Sequence, residues 1–316
     1  MPSEDSHNPP IMIIDPRTRR ILQLTSLIEH SLAEPLTLSD MARYACYSPF
    51  HFERVFAGLV GATPADFVRQ RRLVRVAARL RYDLDSVFDI ALDCGFTNAS
   101  SFSRIFRQHF GFSPRDWRHG AWYDFMWQSH QKQLHSIQTE GNTRSREWLA
   151  WQAALQQTRF NVTSRIRIHQ LAPTRYWHMR HFRSWDERAR KEQLRMVCSL
   201  QESHQANEDS IWCSVMHNDN GLTLNGTDMF DWGILANEVA PEGLMHSTLP
   251  GGYYASLDIF KSDCISQWLH EDWLDKQSVW TFDPSRPYIT LFYNLRVNEL
   301  SNGRHMVPIR RRLDQR

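Results

Sequence analysis

Two stretches of this chain repeat one arrangement of side chains. FERVFAGLVGATPADF, from Phe52, aligns with FSRIFRQHFGFSPRDW, from Phe102, at a constant offset of 50 residues. Phe52/Phe102, Arg54/Arg104, Phe56/Phe106, Gly61/Gly111, Pro64/Pro114, Asp66/Asp116 and Phe67/Trp117 all correspond. At helical spacing, Phe52, Val55, Phe56 and Leu59 share one apolar stripe, as do Phe102, Ile105, Phe106 and Phe110. Near the opposite face fall Phe50, Glu53, Arg54 and Ala57 in the first copy, and Ala99, Ser100, Ser103, Arg104 and Arg107 in the second. Such side chains can meet nucleobase edges or phosphates: Arg donates to guanine O6 and N7, Glu accepts from cytosine N4, and Ser bonds an edge or a backbone oxygen.

A second set of residues is aromatic. Trp212, Trp232, Tyr254, Trp273, Tyr288 and Tyr293 are available to line a concave apolar groove for a small ligand, although aromatic residues more often build core. His169, His178 and His181 with Asp186 are metal-capable types, but alternate strand residues diverge and no zinc spacing is kept, so they read as surface histidines. The cysteines, Cys46, Cys94, Cys198, Cys213 and Cys264, are odd in number, widely spaced and without a C-x-x-C pair, which argues against a disulfide framework. No Ser/His/Asp or Cys/His spacing suggests an enzyme. Neither a metal nor a cofactor is expected.

The elements that must position the first set are helices. From Pro16 to about Gly120 apolar residues recur at three- and four-residue spacing, with breaks at Pro, Gly or Ser. Thr37 or Ser39 can cap a helix through Ala45, Ser48 with Pro49 opens one through Val60, and Thr63 with Pro64 opens a long one. Asp85 or Ser86 starts another through Asp93, Thr97 or Asn98 caps one through Phe110, and Ser113 with Pro114 opens the last turn, about seven helices in all. MARYACYS before the first repeat and IALDCGFTN before the second are short helices ending in a tight turn, so each copy reads as helix-turn-helix. Of Arg69, Arg71, Arg72, Arg75 and Arg79 on the long helix, some are expected to touch phosphate and the rest to be solvated.

Residues 128–146 are polar and suit a linker, followed by a helix over EWLAWQAALQQT. Beyond it, RIRIHQL, RYWHMRHF, SIWCSVM, DWGILANEV, YYASLDIF and YITLFYNLRV predict strands, with helices over WDERARKEQLRMVCSLQESH and CISQWLHEDWLDKQ. The chain is thus multi-domain: an all-α tandem helix-turn-helix domain over 17–120, a connector over 121–163 and an α+β domain over 164–316. Its 316 residues exceed one average core. Net charge is only +2, but Arg17 to Gly120 holds fifteen Arg, no Lys and ten acids, so the positive excess lies where phosphates would be met. No apolar run is long enough to span a bilayer, and the polar N-terminus does not read as a signal peptide, so a cytoplasmic location is expected.

IALDCGFTNASSFSRIFRQHFGFSPRDWR resembles the second helix-turn-helix of AraC/XylS transcriptional regulators, and the likeness covers about Leu22 to Trp117. Ile90-Ala91, Gly95-Phe96, Phe102, Arg104, Phe106, Gly111 and Pro114 stand at the family's spacing. The resemblance implies specific binding of double-stranded DNA, with both recognition helices entering successive major-groove segments, and activation or repression of transcription with RNA polymerase as a partner. From about Ser164, RIRIHQLAPTRYWHM, STLPGGYYASLDIF, HEDWLDKQ and YITLFYNLRV with MVPIRRR resemble a GyrI-like effector-binding domain, a duplicated strand-helix-strand-strand unit with a groove between halves. That resemblance implies a small-molecule effector. In GyrI-like domains a buried Glu on the penultimate strand commonly receives cationic ligands; here Thr290, Leu291 and Phe292 stand there, and YITLFYNLR has no acid, so a neutral effector suits as well. Some GyrI-like relatives hydrolyse small electrophiles, a reading the missing Glu opposes. A protein-interaction role for the second domain is the stronger rival.

Overall fold

Side-chain caps and N1 prolines set the helix starts. In the computed structural model, which describes residues 15–126, 128, 165–182, 195–201, 206, 209–217, 222, 228–235, 244–260, 269, 273–293 and 302–312, Asp15 caps α1 (Pro16–His30) and Thr37 caps α2 (Leu38–Ala45). α3 (Pro49–Val60) opens on its proline without a side-chain cap, and Thr63 caps α4 (Pro64–Tyr82). Ser86 caps α5 (Val87–Asp93), Asn98 caps α6 (Ala99–Phe110) and Ser113 caps α7 (Pro114–Asp116), which continues into a π turn over Trp117–Ala121. Each capping oxygen takes one otherwise orphaned backbone N–H, or two at Asp15, which fixes the register of the apolar stripe that follows.

The repeat is structural as well as sequential. Phe52, Phe56 and Phe67 are enclosed in one core, and Phe102, Phe106 and Trp117 in another. Gly61 and Gly111 end α3 and α6 at φ 86° and 81°, a left-handed conformation that suits glycine. α4 runs between the two cores: its Phe67 and Val68 join the first and its Leu73 to Leu80 the second.

The second half forms an antiparallel sheet. Its strands are β1 (Arg167–Leu171), β2 (Thr174–Phe182), β3 (Trp212–Met216), β4 (Met229–Leu235), β5 (Met245–Leu249), β6 (Gly252–Phe260), β7 (Trp280–Phe282), β8 (Tyr288–Phe292) and β9 (Asn302–Arg311). The spatial order is β1-β6-β9-β8-β3-β4-β2-β5, with β7 beside β9. β1 and β2 are joined by only Ala172 and Pro173, yet stand six places apart in that order. A flat sheet would separate them by roughly 29 Å, far beyond what two residues reach. The sheet therefore curls until its two ends meet. The three-residue β7 is too short to show a period, so the sequence did not predict it.

Alternation along the strands sorts the core. Tyr176, Cys213, Val215, Leu249, Tyr254, Ile289 and Met306 fill the inside of the curl. Trp212, Trp232 and Ile234 face the other way, under Met196, Val197 and Leu200 of the helix over 195–201. Ala255, Leu257, Val307 and Ile309 pack towards α4. The expected linker, apart from 121–126 and 128, lies outside the described residues, as do the helix over EWLAWQAALQQT and most of the two later helical stretches.

The helical and sheet regions are docked through buried polar contacts. Inside the curl, Asp231 accepts from Tyr176 Oη at 2.7 Å and from Arg180 Nε and Nη2 at 2.6 and 2.7 Å, and its Oδ2 lies 2.7 Å from His217 Nε2. Arg180 Nη1 then reaches α1, donating to Thr25 Oγ1 at 3.1 Å and to Ser26 Oγ. Arg71 of α4 forms a bidentate pair with Glu29 of α1 and donates to the His217 carbonyl at 2.7 Å. Phe67 meets Phe182 edge-on, and Tyr82 packs on Phe282.

His178 corrects the reading of the strand histidines as surface groups. It is fully buried, its Nδ1 3.3 Å from Asp231 Oδ1 and its Nε2 2.9 Å from Ser247 Oγ, because position 178 shares the inward face with 176 and 180. His169 and His181 are half-buried, and Asp186 lies outside the described residues.

Candidate nucleic-acid interface

Each recognition helix follows a short helix across a tight turn. The first turn is made at Cys46, which adopts φ 62°, and its N–H bonds the Arg43 carbonyl at 3.1 Å. The second is made at Gly95, φ +90°, where an added Cβ would stand 2.5 Å from the Leu32 carbonyl oxygen and 2.7 Å from the Arg72 guanidinium. Only glycine fits that cradle. Arg72 of α4 occupies it, donating to the carbonyls of Leu32 at 2.7 Å, Glu34 at 2.8 Å and Gly95 at 3.0 Å. One half-buried guanidinium thereby ties the loop after α1, the long helix and the second turn together, and so fixes α6 relative to the first unit.

Two more middle-helix arginines are likewise engaged within the protein, whereas Arg69 is exposed beside Asp66. Arg71 is buried against Glu29, and Arg79 bonds Asp83, Asp93 and Asp85 at 2.7, 3.0 and 3.3 Å. Asp83 also takes Arg310 of β9. Arg71, Arg72 and Arg79 are thus neither phosphate contacts nor solvated side chains, contrary to expectation. A basic helical stripe looks the same in sequence whether its partners are phosphates or the chain's own carbonyls and carboxylates.

The faces predicted to read bases are open. Phe50 is 81% exposed at the first turn of α3, an unusual position for a bare aromatic ring, and Arg54 is exposed one helical turn on, with Glu53 and Ala57 half-buried beside it. On α6, Ala99, Ser100, Ser103, Arg104 and Arg107 are all exposed. Neither Arg54 nor Arg104 has a carboxylate partner among the described residues. Asn98, capping α6 with its side chain bonded to the Ser101 N–H, also leaves its own edge exposed.

The aromatic set divides differently. Trp212 and Trp232 stack at 6.4 Å and are 0% and 1% exposed, and Tyr254 is enclosed within the curl with Arg286 over its ring. These three present no surface to a ligand, since alternation turned them into the two layers of core. Trp273 and Tyr293 are half-buried, and Tyr288, buried at the end of β8, borders a cleft against α4.

Comparison with known proteins follows the same division. A model of a helix-turn-helix domain matches residues 41–120. Regulatory protein SoxS of Escherichia coli (strain K12) is 36% identical over 102 residues, which make up 32% of this chain and 95% of SoxS. The chain belongs to the AraC/XylS family of transcriptional regulators. The HTH-type transcriptional regulator GbdR of Pseudomonas aeruginosa is 32% identical over 101 residues, 32% of this chain and 28% of GbdR. A solved AraC-type regulator from Chromobacterium violaceum, 33% identical, covers 32% of this chain and 90% of its own, with a TM-score of 0.31. As an AraC/XylS member the protein is a DNA-binding transcriptional regulator. In this AraC/XylS chain about two-thirds of the length, including the sheet, lies outside the matches to SoxS and GbdR. No helix among the described residues is long and apolar enough to cross a membrane.

Proposed function

We propose that α3 and α6 read two segments of double-stranded DNA through Phe50, Glu53, Arg54, Ala99, Ser100, Ser103, Arg104 and Arg107. The observation that carries this is the contrast among arginines on one basic unit: Arg71, Arg72 and Arg79 are consumed internally, whereas Arg54 and Arg104, equivalent in the repeat, stay exposed and without a carboxylate partner among the described residues. Phe50 suits apolar contact with a thymine methyl group. The DNA-binding unit spans 17–120, a connector 121–163, and a GyrI-like domain 164–316 senses a small molecule and passes its state to promoter-bound RNA polymerase. The curled sheet with a helix on its outer face supports that second part. So does the state of its buried acid: Asp231 is saturated by Arg180, Tyr176 and His217, leaving no spare charge for a cation, which favours a neutral or anionic effector.

Arg104→Ala should weaken binding to the specific site by about 1–3 kcal/mol and relax preference at one base pair, the usual cost of a lost bidentate base contact. Affinities for specific and random DNA across a salt series check it. An equal fall on both DNAs, with the slope of log affinity on log salt flatter by about one, would reassign Arg104 to phosphate.

A further inference from the structure

The buried apolar residues of the two helix-turn-helix units form separate clusters. Phe67 and Val68 of α4 belong to the first, and Leu73, Val74, Val76 and Ala77 to the second. Between them the apolar stripe of α4 is interrupted by Arg69, Gln70, Arg71 and Arg72. What crosses this seam is polar. Arg71 turns back to Glu29 of α1. Arg72 reaches both ways: Nε and Nη2 donate to the Leu32 and Glu34 carbonyls in the loop between α1 and α2, and Nη1 to the Gly95 carbonyl in the turn before α6.

This arrangement suits the fixing of a distance better than the gain of stability. No carboxylate pairs with Arg72 among the described residues, and burial draws its pKa below the ordinary value, so its desolvation is not offset by an opposite charge. Its acceptors are backbone oxygens in two different loops, each met by a different nitrogen of one planar group at 2.7, 2.8 and 3.0 Å. A rigid fork therefore holds three backbone points on two units. α6 starts at Ala99, four residues after Gly95, so a shift of that turn carries the helix with it. Two linked recognition helices gain most when preset, because the second contact forms at the effective concentration their frame provides, high only where the groove segments match the frame.

We propose that Arg72 is a positioning residue that sets the separation and rotation of α6 relative to α3, and so the spacing between DNA segments that the protein accepts. It touches no base in this role. The proposal rests on the reading of α3 and α6 as partners on one duplex.

Spacer variants of a site selected in vitro test it with the full chain. One base pair is inserted or removed between the two tracts, which turns one by about 35° and shifts it by about 3.4 Å relative to the other. Single-tract DNAs, with the other tract scrambled, report each helix alone. Wild type should lose about ten-fold in affinity on either change. Arg72→Met should bind the original site about ten-fold more weakly but lose less than about three-fold on either change, with single-tract affinities within about two-fold of wild type. Arg72→Lys keeps the charge but offers one nitrogen to three carbonyls, so its spacer profile should lie between those of wild type and Arg72→Met. A profile in Arg72→Met as steep as that of wild type would overturn the assignment and leave the separation to the sheet, which touches both units through Phe182 on Phe67 and Phe282 on Tyr82. Equal losses on single-tract and whole sites in both variants would overturn it too, making Arg72 a stabilising residue only. A flat profile in wild type would contradict the two-segment reading, and the proposal with it.

Discussion

Asp231→Asn is expected to lower unfolding free energy by about 3–5 kcal/mol, the range for removing one partner of a buried ion pair. Arg180 is 1% exposed at its side chain, and its remaining acceptors on α1 are neutral, so the variant strands a buried guanidinium. Burial by itself raises the Asp231 carboxyl, and Arg180, with His178 and His217, overrides it and holds the group well below the usual carboxylate range. The native pair is therefore charged at neutral pH. Combining Asp231→Leu with Arg180→Met should cost less than Asp231→Asn alone, since no charge is then buried unpaired. Urea titration of the three proteins decides it, and a loss below about 1 kcal/mol in Asp231→Asn would mean that water reaches the pair. Because Arg180 grips Thr25 and Ser26, amide exchange in α1 should quicken in the same variant.

That network marks the limit of what the sequence made legible. Helix starts were readable because Thr37, Thr63, Ser86, Asn98 and Ser113 each satisfy an N–H two or three residues on, a local rule. The exposed reading faces followed from periodicity and the 50-residue repeat. Asp231, Arg180 and His178 were unreadable because their partners lie 51 or more residues away in sequence or on a neighbouring strand. Trp212, Trp232 and Tyr254 were placed in a groove because an aromatic strand residue looks alike whether it faces a ligand or a helix. The curl of the sheet, set by the two-residue β1–β2 connection, decides it for Tyr254, and the helix over 195–201 on the outer face decides it for Trp212 and Trp232.

Acid should destabilise the protein well before its carboxylates titrate. His305, on β9, is buried with only Thr290 Oγ1 near its Nδ1 at 3.0 Å, and burial pushes its pKa down to about 4 from an ordinary 6.5. The unfolded chain then binds the proton more readily than the folded one, so stability is full above pH 6.5 and falls as pH drops towards 4. The loss over that window is about 3 kcal/mol from this residue. His217, also lowered by burial, adds in the same direction. Comparing wild type with His305→Gln from pH 7 to pH 4 isolates the effect: the variant's stability should vary less by about 3 kcal/mol. Parallel pH curves would show that His305 charges in the folded protein.

The central claim, that both recognition helices read DNA together, is tested most directly by guanine N7 methylation protection on a site selected in vitro with the full chain. Two tracts of major-groove protection should appear on one face of the duplex, centred roughly 10 base pairs apart, and Arg104→Ala should weaken one tract while leaving the other. A single protected tract, or two on opposite faces of the duplex, would contradict the account.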